Sequence, residues 1–401
     1  MTAPTENSLS TARRYQRWIA WIVFGLALVI RLSVFRDEPR ENDEKIYRAL
    51  VEQLAAGQGY TLRGHPILNE PWLIREQYDQ PMFFHPPGGL AVFWGFYLLF
   101  GTAGFGLAQW ALFGVFYWAT LRLIRQTAGR LDHTLFTIAC MTVALSPIMA
   151  HVSTHLWLDG PQTAWATLAA TICVDACRRR SLSGGWLAGL IFTMACWTKL
   201  HAVLALPGIY LVSWACRRRI VWGPVLVMTM TIGVLCVPWL VWQWRVLGSP
   251  FPTWAGRPHP ELIANNAYVR YLTDERKWWI YFPLLTCVMS TLPSALYMLW
   301  RQPPQGRLGK IAWALGIWIG VVVAVIAGLG AIGYSKLLRY IILVSPATAC
   351  LWVLAAQDRR QAGRAIPLIA WLGLGLEWLH GFVAVILFYR SDLIVPLIWP
   401  R

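Results

Sequence analysis

The chain has 401 residues, of which 57% are hydrophobic and 13% are charged, and its apolar residues form long runs, so an ordinary soluble protein is excluded. Its net charge is +16, but the cations form short tracts between apolar runs, a pattern typical of cytoplasmic loops that argues against nucleic acid as a partner. All eight cysteines fall inside predicted membrane spans, which argues against a disulfide framework.

The first apolar run follows a basic amino-terminal segment. Arg13, Arg14 and Arg17 precede it, and no small-residue cleavage pattern comes after it. We therefore predict that residues 18–35 form a retained first span and that the amino terminus is cytoplasmic.

The later basic tracts constrain the number of crossings. One alternating path places every tract on the cytoplasmic side if the chain crosses the membrane 11 times. The tracts are 122–130, 178–180, 217–219, 301–310 and 359–364. The predicted spans are 18–35, 106–124, 134–150, 160–177, 184–199, 201–216, 220–242, 279–300, 311–333, 340–356 and 366–388. The sequence thus predicts an all-α polytopic membrane protein, a bundle of about 11 transmembrane helices.

The apolar run 88–101 is interpreted as a segment that does not cross. It is short for a span, it begins after Pro86 and Pro87, and it ends at Gly101. A crossing here would move the arginine tracts to the outer side. We expect a helix that lies on the outer surface or dips into it.

Two long segments face outwards on this path, residues 36–105 and 243–278, with short turns near 151–159, 200 and 334–339. The first long loop is predicted to carry juxtamembrane helices. No internal repeat or low-complexity tract interrupts the chain, so we expect a single membrane domain over 1–401 and no separate soluble domain.

Acidic residues concentrate in the first outer loop, where nine of the chain's 19 lie between residues 37 and 79. Among them, Asp43 and Glu44 open a predicted helix whose apolar residues Ile46, Leu50 and Leu54 recur at helical spacing. Anions in a first turn also offset the helix dipole, and that simpler purpose stays open. The chemical alternative is that Asp43 and Glu44 are catalytic carboxylates.

Asp159 is predicted to lie on the same outer side, at the end of a span. A carboxylate at a membrane boundary is costly unless it is used or solvated, so Asp159 is a third catalytic candidate. The structural alternative is a cap for a helix that begins near Pro161.

Candidate substrate-binding residues come from the end of the first outer loop and from the other outward turns. They are His85, Lys199, His201, Lys336, Arg339 and Tyr340. Cations on this face suit an anionic group such as a lipid phosphate. Snorkelling and headgroup anchoring by the lysines and the arginine remain alternatives.

The order of these motifs resembles one group of membrane enzymes. The motifs are Asp43-Glu44, then Tyr47, Ala49, Leu54 and Gly57-Gln58-Gly59-Tyr60, then His85-Pro86-Pro87, Leu99-Phe100-Gly101, Ser146-Pro147, Asp159-Gly160-Pro161, Thr198-Lys199 and Arg339-Tyr340. They resemble the GT-C glycosyltransferases that use polyprenyl-phosphate-linked sugars. The similarity is greatest to the branch that holds protein O-mannosyltransferases and lipid A aminoarabinose transferases.

The resemblance implies roles for two carboxylates. In that family the aspartate of the first-loop pair is the proposed base, which corresponds to Asp43, and an aspartate after the third span assists, which corresponds to Asp159. Members usually have lysine where this chain has His85, so a phosphate contact there would depend on pH. Many members also carry a carboxyl-terminal soluble domain that we do not expect here.

The implied reaction transfers a hexosyl or pentosyl group to a hydroxyl of a glycan, lipid or protein, with inversion at the anomeric carbon. The site would face the periplasm from a bacterial inner membrane, among membrane lipids. A magnesium or manganese ion on Asp43 and Asp159 stays open as a cofactor. Two alternatives are a transporter or flippase of a lipid-linked sugar and a membrane acyltransferase that uses His380.

Overall fold

The computed structural model describes residues 6–32, 42–71, 73, 86–217, 221–247, 289–331 and 338–389. Throughout these residues the regular structure is helical, and no strand occurs in them. The predicted all-α class is therefore confirmed.

The helices vary from 6 to 27 residues in length. In chain order they are α1 (Glu6–Leu32), α2 (Asn42–Ala55), α3 (Gly88–Phe100), α4 (Ala103–Ala128), α5 (His133–Ala144), α6 (Pro147–Val152), α7 (Asp159–Arg179), α8 (Leu182–Thr198), α9 (Leu206–Arg217), α10 (Trp222–Leu247), α11 (Thr291–Arg301), α12 (Gly306–Ala331), α13 (Ser345–Gln361) and α14 (Leu368–Tyr389). Three 3-10 helices join them: η1 (Pro66–Asn69), η2 (Leu200–Ala205) and η3 (Leu338–Val344).

Hydropathy located most of the helices but not their irregular ends. Within the described residues, six helices are long and apolar enough to cross a membrane, so the predicted total of 11 spans is not confirmed. The predicted spans 201–216 and 340–356 each begin as a 3-10 helix rather than an α-helix. The predicted loop 243–278 starts too early, because α10 continues to Leu247, and residues 248–278 lie outside the described residues.

The buried fraction of the helices distinguishes α13, at the centre of the bundle, from α10, at its periphery. The most apolar window of 340–361 is 94% buried, whereas that of 222–245 is 17% buried. Helix α10 exposes Met230 and Val234, which are 68% and 69% accessible. Apolar side chains exposed along a whole helix require an apolar solvent, so α10 faces lipid while α13 forms the centre of the bundle.

Helix α3 is the run for which we predicted no crossing. Its 13 residues extend about 20 Å, less than the roughly 30 Å of a bilayer core. It turns at Gly101, which has φ of +60°, and packs closely on the start of α4. A Cβ on Gly104 would lie 2.3 Å from the carbonyl oxygen of Phe96, so the hairpin requires glycine there. The short length of α3 agrees with the prediction. That α3 does not cross the membrane remains a prediction.

The basic tracts meet at one end of the bundle. Arg122 pairs with Asp175, while Arg178 and Arg307 both donate to the carbonyl oxygen of Gln126. In the other two tracts, Arg360 pairs with Asp132, and Arg217 donates to the carbonyl oxygens of Cys177 and Arg178. The structure thus places on one side the tracts that counting had assigned to the cytoplasm.

Helix α9 approaches α12 so closely that Gly208 has no space for a side chain. A Cβ there would lie 2.2 Å from Cβ and 2.7 Å from Cα of the buried Trp318. We predict that Gly208→Ala destabilises the protein by roughly 1 to 3 kcal/mol, because overpacking must separate the two helices. Thermal unfolding in detergent, followed by tryptophan fluorescence, measures the change.

The matched control is Gly316→Ala on α12, where an added Cβ meets no atom within 4 Å among the described residues. This change should be neutral or stabilising, by up to about 1 kcal/mol, since alanine is the better helix former. Equal effects of the two substitutions would contradict the packing explanation.

Candidate active site

Two of the predicted site residues form a buried salt bridge. Lys199 Nζ lies 2.8 Å from Oδ1 and 2.9 Å from Oδ2 of Asp159. Asp159 is 1% and Lys199 3% exposed, so both charges are shielded from water. A buried pair of this kind requires good geometry, since each ion loses its hydration.

Asp159 does not cap α7 as one alternative supposed. The helix begins at Asp159 itself, two residues earlier than Pro161, and its N-cap residue is Leu158 without a side-chain cap. The carboxylate instead binds Lys199. Its place in the first turn also puts it in the favourable field of the helix dipole.

The backbone around Lys199 is held in a fixed conformation. Lys199 is extended, with φ of −151° and ψ of 128°, and lies between the end of α8 and η2. Gln162 Nε2, one turn beyond Asp159, donates to the Lys199 carbonyl oxygen at 3.0 Å. The same helix therefore fixes both the ammonium and the backbone of Lys199.

The start of α3 packs directly on this turn. A Cβ on Gly89 would lie 2.7 Å from Cγ2 of Thr198, and one on Gly88 would lie 2.7 Å from Cβ of Trp197. Small residues allow the two backbones to approach, as they do between helices in membranes. The Pro86-Pro87-Gly88 segment thus adjoins the salt bridge, although His85 itself lies outside the described residues.

Tyr340 and His201 also lie near Lys199. Lys199 Nζ lies 5.2 Å from the centre of the Tyr340 ring, within cation–π range. The His201 ring meets Tyr340 edge to face at 5.8 Å between centroids. Helix η3 therefore brings Tyr340 beside the η2 turn, as the predicted site requires.

Helix α2 docks against the segment that leads into Asp159. The buried Glu44 accepts a hydrogen bond at 2.7 Å from the backbone nitrogen of Leu156. Ile46 and Leu50 of the predicted apolar face are buried in a cluster with Phe93 of α3. Asp43 precedes Glu44 and is half-buried. The first-loop acids and Asp159 thus belong to one region of the structure.

Two polar residues that the sequence analysis missed hold the segment before Asp159. Arg31, 1% exposed, donates to Ser153 Oγ at 2.7 Å and to the Ala144 carbonyl oxygen at 3.1 Å. Gln109 Nε2 donates at 2.6 Å to the carbonyl oxygen of His155 and at 2.9 Å to that of Trp157. The sequence did contain a signal for these contacts. A polar residue inside an apolar span usually has a polar partner, because burying it without one is costly.

The structure therefore unites part of the predicted site. Asp159, Lys199, Tyr340 and His201 come together, and Glu44 ties α2 to them. His85 and Lys336 lie outside the described residues, as does the side chain of Arg339. Their predicted roles, like those of Asp43 and Glu44 in catalysis, remain predictions.

A magnesium or manganese ion on Asp43 and Asp159 was left open, and the contacts of Asp159 concern that possibility. Both oxygens of Asp159 accept hydrogen bonds from Lys199. The described residues contain no group of three or more histidine, cysteine, aspartate or glutamate side chains that would hold an ion. The magnesium or manganese ion on Asp43 and Asp159 therefore remains a prediction, and we derive no step through it.

Comparison with known sequences finds a family model and a curated protein that are similar to this chain. The family model described as dolichyl-phosphate-mannose-protein mannosyltransferase matches residues 84–242. A protein of Erwinia tasmaniensis, named undecaprenyl phosphate-alpha-4-amino-4-deoxy-L-arabinose arabinosyl transferase, is 24% identical over 272 residues. That match covers 62% of this chain and 47% of the relative, so the chain spans about half the length of this curated relative.

Solved structures show the same fold. The crystal structure of ArnT from Cupriavidus metallidurans bound to undecaprenyl phosphate aligns with a TM-score of 0.57 and 17% identity, over 93% of this chain and 77% of that one. Its apo state aligns with a TM-score of 0.58 and 16% identity, over 93% and 76% of the two chains. The fold of the chain is thus that of ArnT, and together with the two sequence matches it confirms the resemblance inferred from the motifs.

The salt bridge should contribute to stability as a unit. We predict that Asp159→Asn or Lys199→Met alone costs roughly 3 to 5 kcal/mol, because each leaves a buried charge without this partner. The double substitution should cost less than the sum of the two. Thermal unfolding of all four proteins in detergent measures this coupling.

The control is Glu52→Gln, which removes a carboxylate 2.9 Å from Arg48 on the partly exposed side of α2. That pair should contribute no more than about 1 kcal/mol. Additive effects of the Asp159 and Lys199 substitutions would show that the two charges do not support each other.

Proposed function

We propose that this chain is a membrane glycosyltransferase that moves a sugar from a polyprenyl-phosphate donor to a hydroxyl acceptor. The observation that carries the proposal is the buried Asp159–Lys199 pair beside Tyr340, with α2 docked onto the same segment by Glu44. Similarity to a transferase named for undecaprenyl phosphate and to the mannosyltransferase family model supports this choice of donor.

Asp43 is the proposed base. In the reaction, the acceptor oxygen attacks the anomeric carbon while the bond from that carbon to the phosphate oxygen breaks. The acceptor proton passes to the Asp43 carboxylate, and the polyprenyl phosphate leaves with the bonding electrons. One displacement of this kind inverts the anomeric centre and needs no enzyme nucleophile. Asp43 is half-buried on a helix that Glu44 anchors, which suits a base that must meet an acceptor from outside.

The leaving phosphate requires positive charge more than a proton. It is already a weak base, so the main demand is for stabilisation of the charge that develops on it. Lys199 provides a cation at the site, and its ammonium bonds to the Asp159 carboxylate and lies 5.2 Å from the centre of the Tyr340 ring. We assign to His85, Lys336 and Arg339 further contacts with the donor phosphate or sugar, and to His201 and Tyr340 contacts that shape the pocket.

We further propose that the site faces the periplasm from a bacterial inner membrane. Asp159 opens α7, and the arginine-rich end of the bundle begins where α7 ends. Twenty-one residues of α-helix extend about 30 Å, the thickness of a bilayer core. Because arginines favour the cytoplasmic side, the opposite end, with Asp159, would lie outside. The acceptor is a hydroxyl of a glycan, lipid or protein.

Asp43→Asn tests the proposed base. We expect the variant to lose at least about 99% of the transfer rate, because removing a general base costs typically a hundredfold or more. The assay follows a radiolabelled sugar from a polyprenyl-phosphate donor, using purified protein in liposomes. Glu52→Gln on the same helix is the matched control and should retain transfer.

The same assay separates transfer from transport. If the wild-type protein moves the labelled donor across the liposome membrane without breaking the sugar–phosphate bond, the chain is a flippase and the proposed function is wrong. If donor is consumed but Asp43→Asn is as fast as the wild type, transfer is correct and the assigned base is wrong.

Chelation tests the metal prediction. Because Asp159 is already paired with Lys199, we expect transfer to continue at an unchanged rate, within about twofold, in excess EDTA. The measurement compares rates after EDTA and after readdition of magnesium or manganese. Loss of transfer with EDTA and recovery with either ion would restore the metal-dependent alternative.

A further inference from the structure

Three arginines converge at the end of the bundle opposite the proposed active site. Arg178 Nη2 donates to the carbonyl oxygen of Gln126 at 2.6 Å, and Arg307 Nη2 approaches the same oxygen at 3.4 Å. Arg217 donates to the carbonyl oxygens of Cys177 and Arg178. We call Arg178, Arg217 and Arg307 the arginine cluster.

Carbonyl capping explains only part of this arrangement. Gln126 lies in the last turn of α4 and Cys177 in that of α7, where exposed carbonyls favour cations. Each guanidinium, however, carries five N–H donors, and these bonds use few of them. The Arg307 Nε hydrogen is buried and has no acceptor in the described part of the chain. The cluster therefore has unused donors, one of them shielded from water.

The cluster also has excess positive charge. Because Arg178 and Arg307 both approach one oxygen, their guanidinium groups are closer together than like charges favour without a counter-ion. Asp175 is already paired with Arg122 and accepts from Gln126 Nε2. No ion pair joins the cluster to a carboxylate within the described residues. Arg307 moreover stands in the first turn of α12, where the helix dipole favours an anion.

Neighbouring tryptophans locate this cluster at a membrane interface. Trp222 at the start of α10 is 57% exposed and meets Trp214 of α9 edge to face at 5.1 Å. Trp186 of α8 and Trp313 of α12 are 53% and 76% exposed. Tryptophan prefers the level of lipid headgroups, so the arginines lie at the depth of headgroup phosphates rather than in bulk water.

We propose that the arginine cluster binds the phosphate of an anionic phospholipid in the leaflet opposite the proposed active site. The planar guanidinium groups match the oxygens of a phosphate diester, and the apolar surface beside α8, α10 and α12 accepts the acyl chains. This site is independent of the donor site, since α7 separates the two by its full length.

Native mass spectrometry of the full chain in detergent tests the proposal. Phosphatidylglycerol and phosphatidylcholine with identical acyl chains are added separately. We expect one phosphatidylglycerol to bind at least about tenfold more tightly than phosphatidylcholine, since a charge-assisted bond contributes that much. A third arm measures the thermal stability of the protein with inorganic phosphate and, separately, with phosphatidylglycerol.

Arg307→Gln should weaken phosphatidylglycerol binding about tenfold and leave phosphatidylcholine unchanged. The matched control is Arg360→Gln, which removes the same charge at the same end of the bundle from an arginine that already pairs with Asp132. It should leave binding unchanged. Arg307→Lys, which keeps the charge without the planar fork, should weaken binding less and decides the matter if Arg307→Gln does not purify as a folded protein.

Three results would overturn the proposal. The first is equal binding of the two lipids by the wild-type protein. The second is equal weakening by Arg307→Gln and Arg360→Gln, or no weakening by Arg307→Lys when it alone folds, since either result indicates general surface charge. The third is stabilisation by inorganic phosphate as strong as that by phosphatidylglycerol, which would assign the cluster to a free anion.

Discussion

The salt bridge between Asp159 and Lys199 constrains the region around the proposed site. Removing two charges from water costs several kcal/mol for each, and only close geometry offsets this cost. The two contacts of 2.8 and 2.9 Å provide it. Consequently the start of α7 and the turn between α8 and η2 cannot move independently. Gln162 of α7 adds a second link between these two segments, because it donates a hydrogen bond to the carbonyl oxygen of Lys199.

Polar contacts also explain how helix α2 is held against the bundle. Within lipid the hydrophobic effect does not drive helices together, so packing and hydrogen bonds carry more of the specificity. Arg31 ties α1 to the segment that leads into Asp159, and Gln109 ties α4 to the same segment. Glu44 then attaches α2 to Leu156 in it. Two helices, α1 and α4, therefore hold the short stretch of backbone to which Glu44 attaches α2, the helix that carries Asp43.

Sequence patterns predicted the positions of the helices better than the contacts between them. Residues 160–177 were predicted as a span, and α7 is Asp159–Arg179, because hydropathy and flanking arginines report directly on helix location. Asp159 and Lys199 were both predicted, but as separate groups, since 40 residues divide them and pairing is a property of the fold. Arg31 was missed because an arginine at a span end ordinarily snorkels. The 3-10 turns carrying His201 and Tyr340 leave no trace in hydropathy.

The Asp159–Lys199 ion pair has no net charge, which affects how Lys199 would act on the donor phosphate in the proposed reaction. A lysine already paired with a carboxylate offers a phosphate little net attraction, so in the proposed reaction we expect Lys199 to add little to ground-state binding of the donor. In the proposed reaction, negative charge would grow on the leaving oxygen as the sugar–phosphate bond breaks, and we expect Lys199 to share its hydrogen bonds between Asp159 and that oxygen. The interaction then strengthens only in the transition state, which is the condition for raising the rate rather than the affinity. Burial at 1% and 3% exposure increases the effect, because no water competes for the ammonium during the shift.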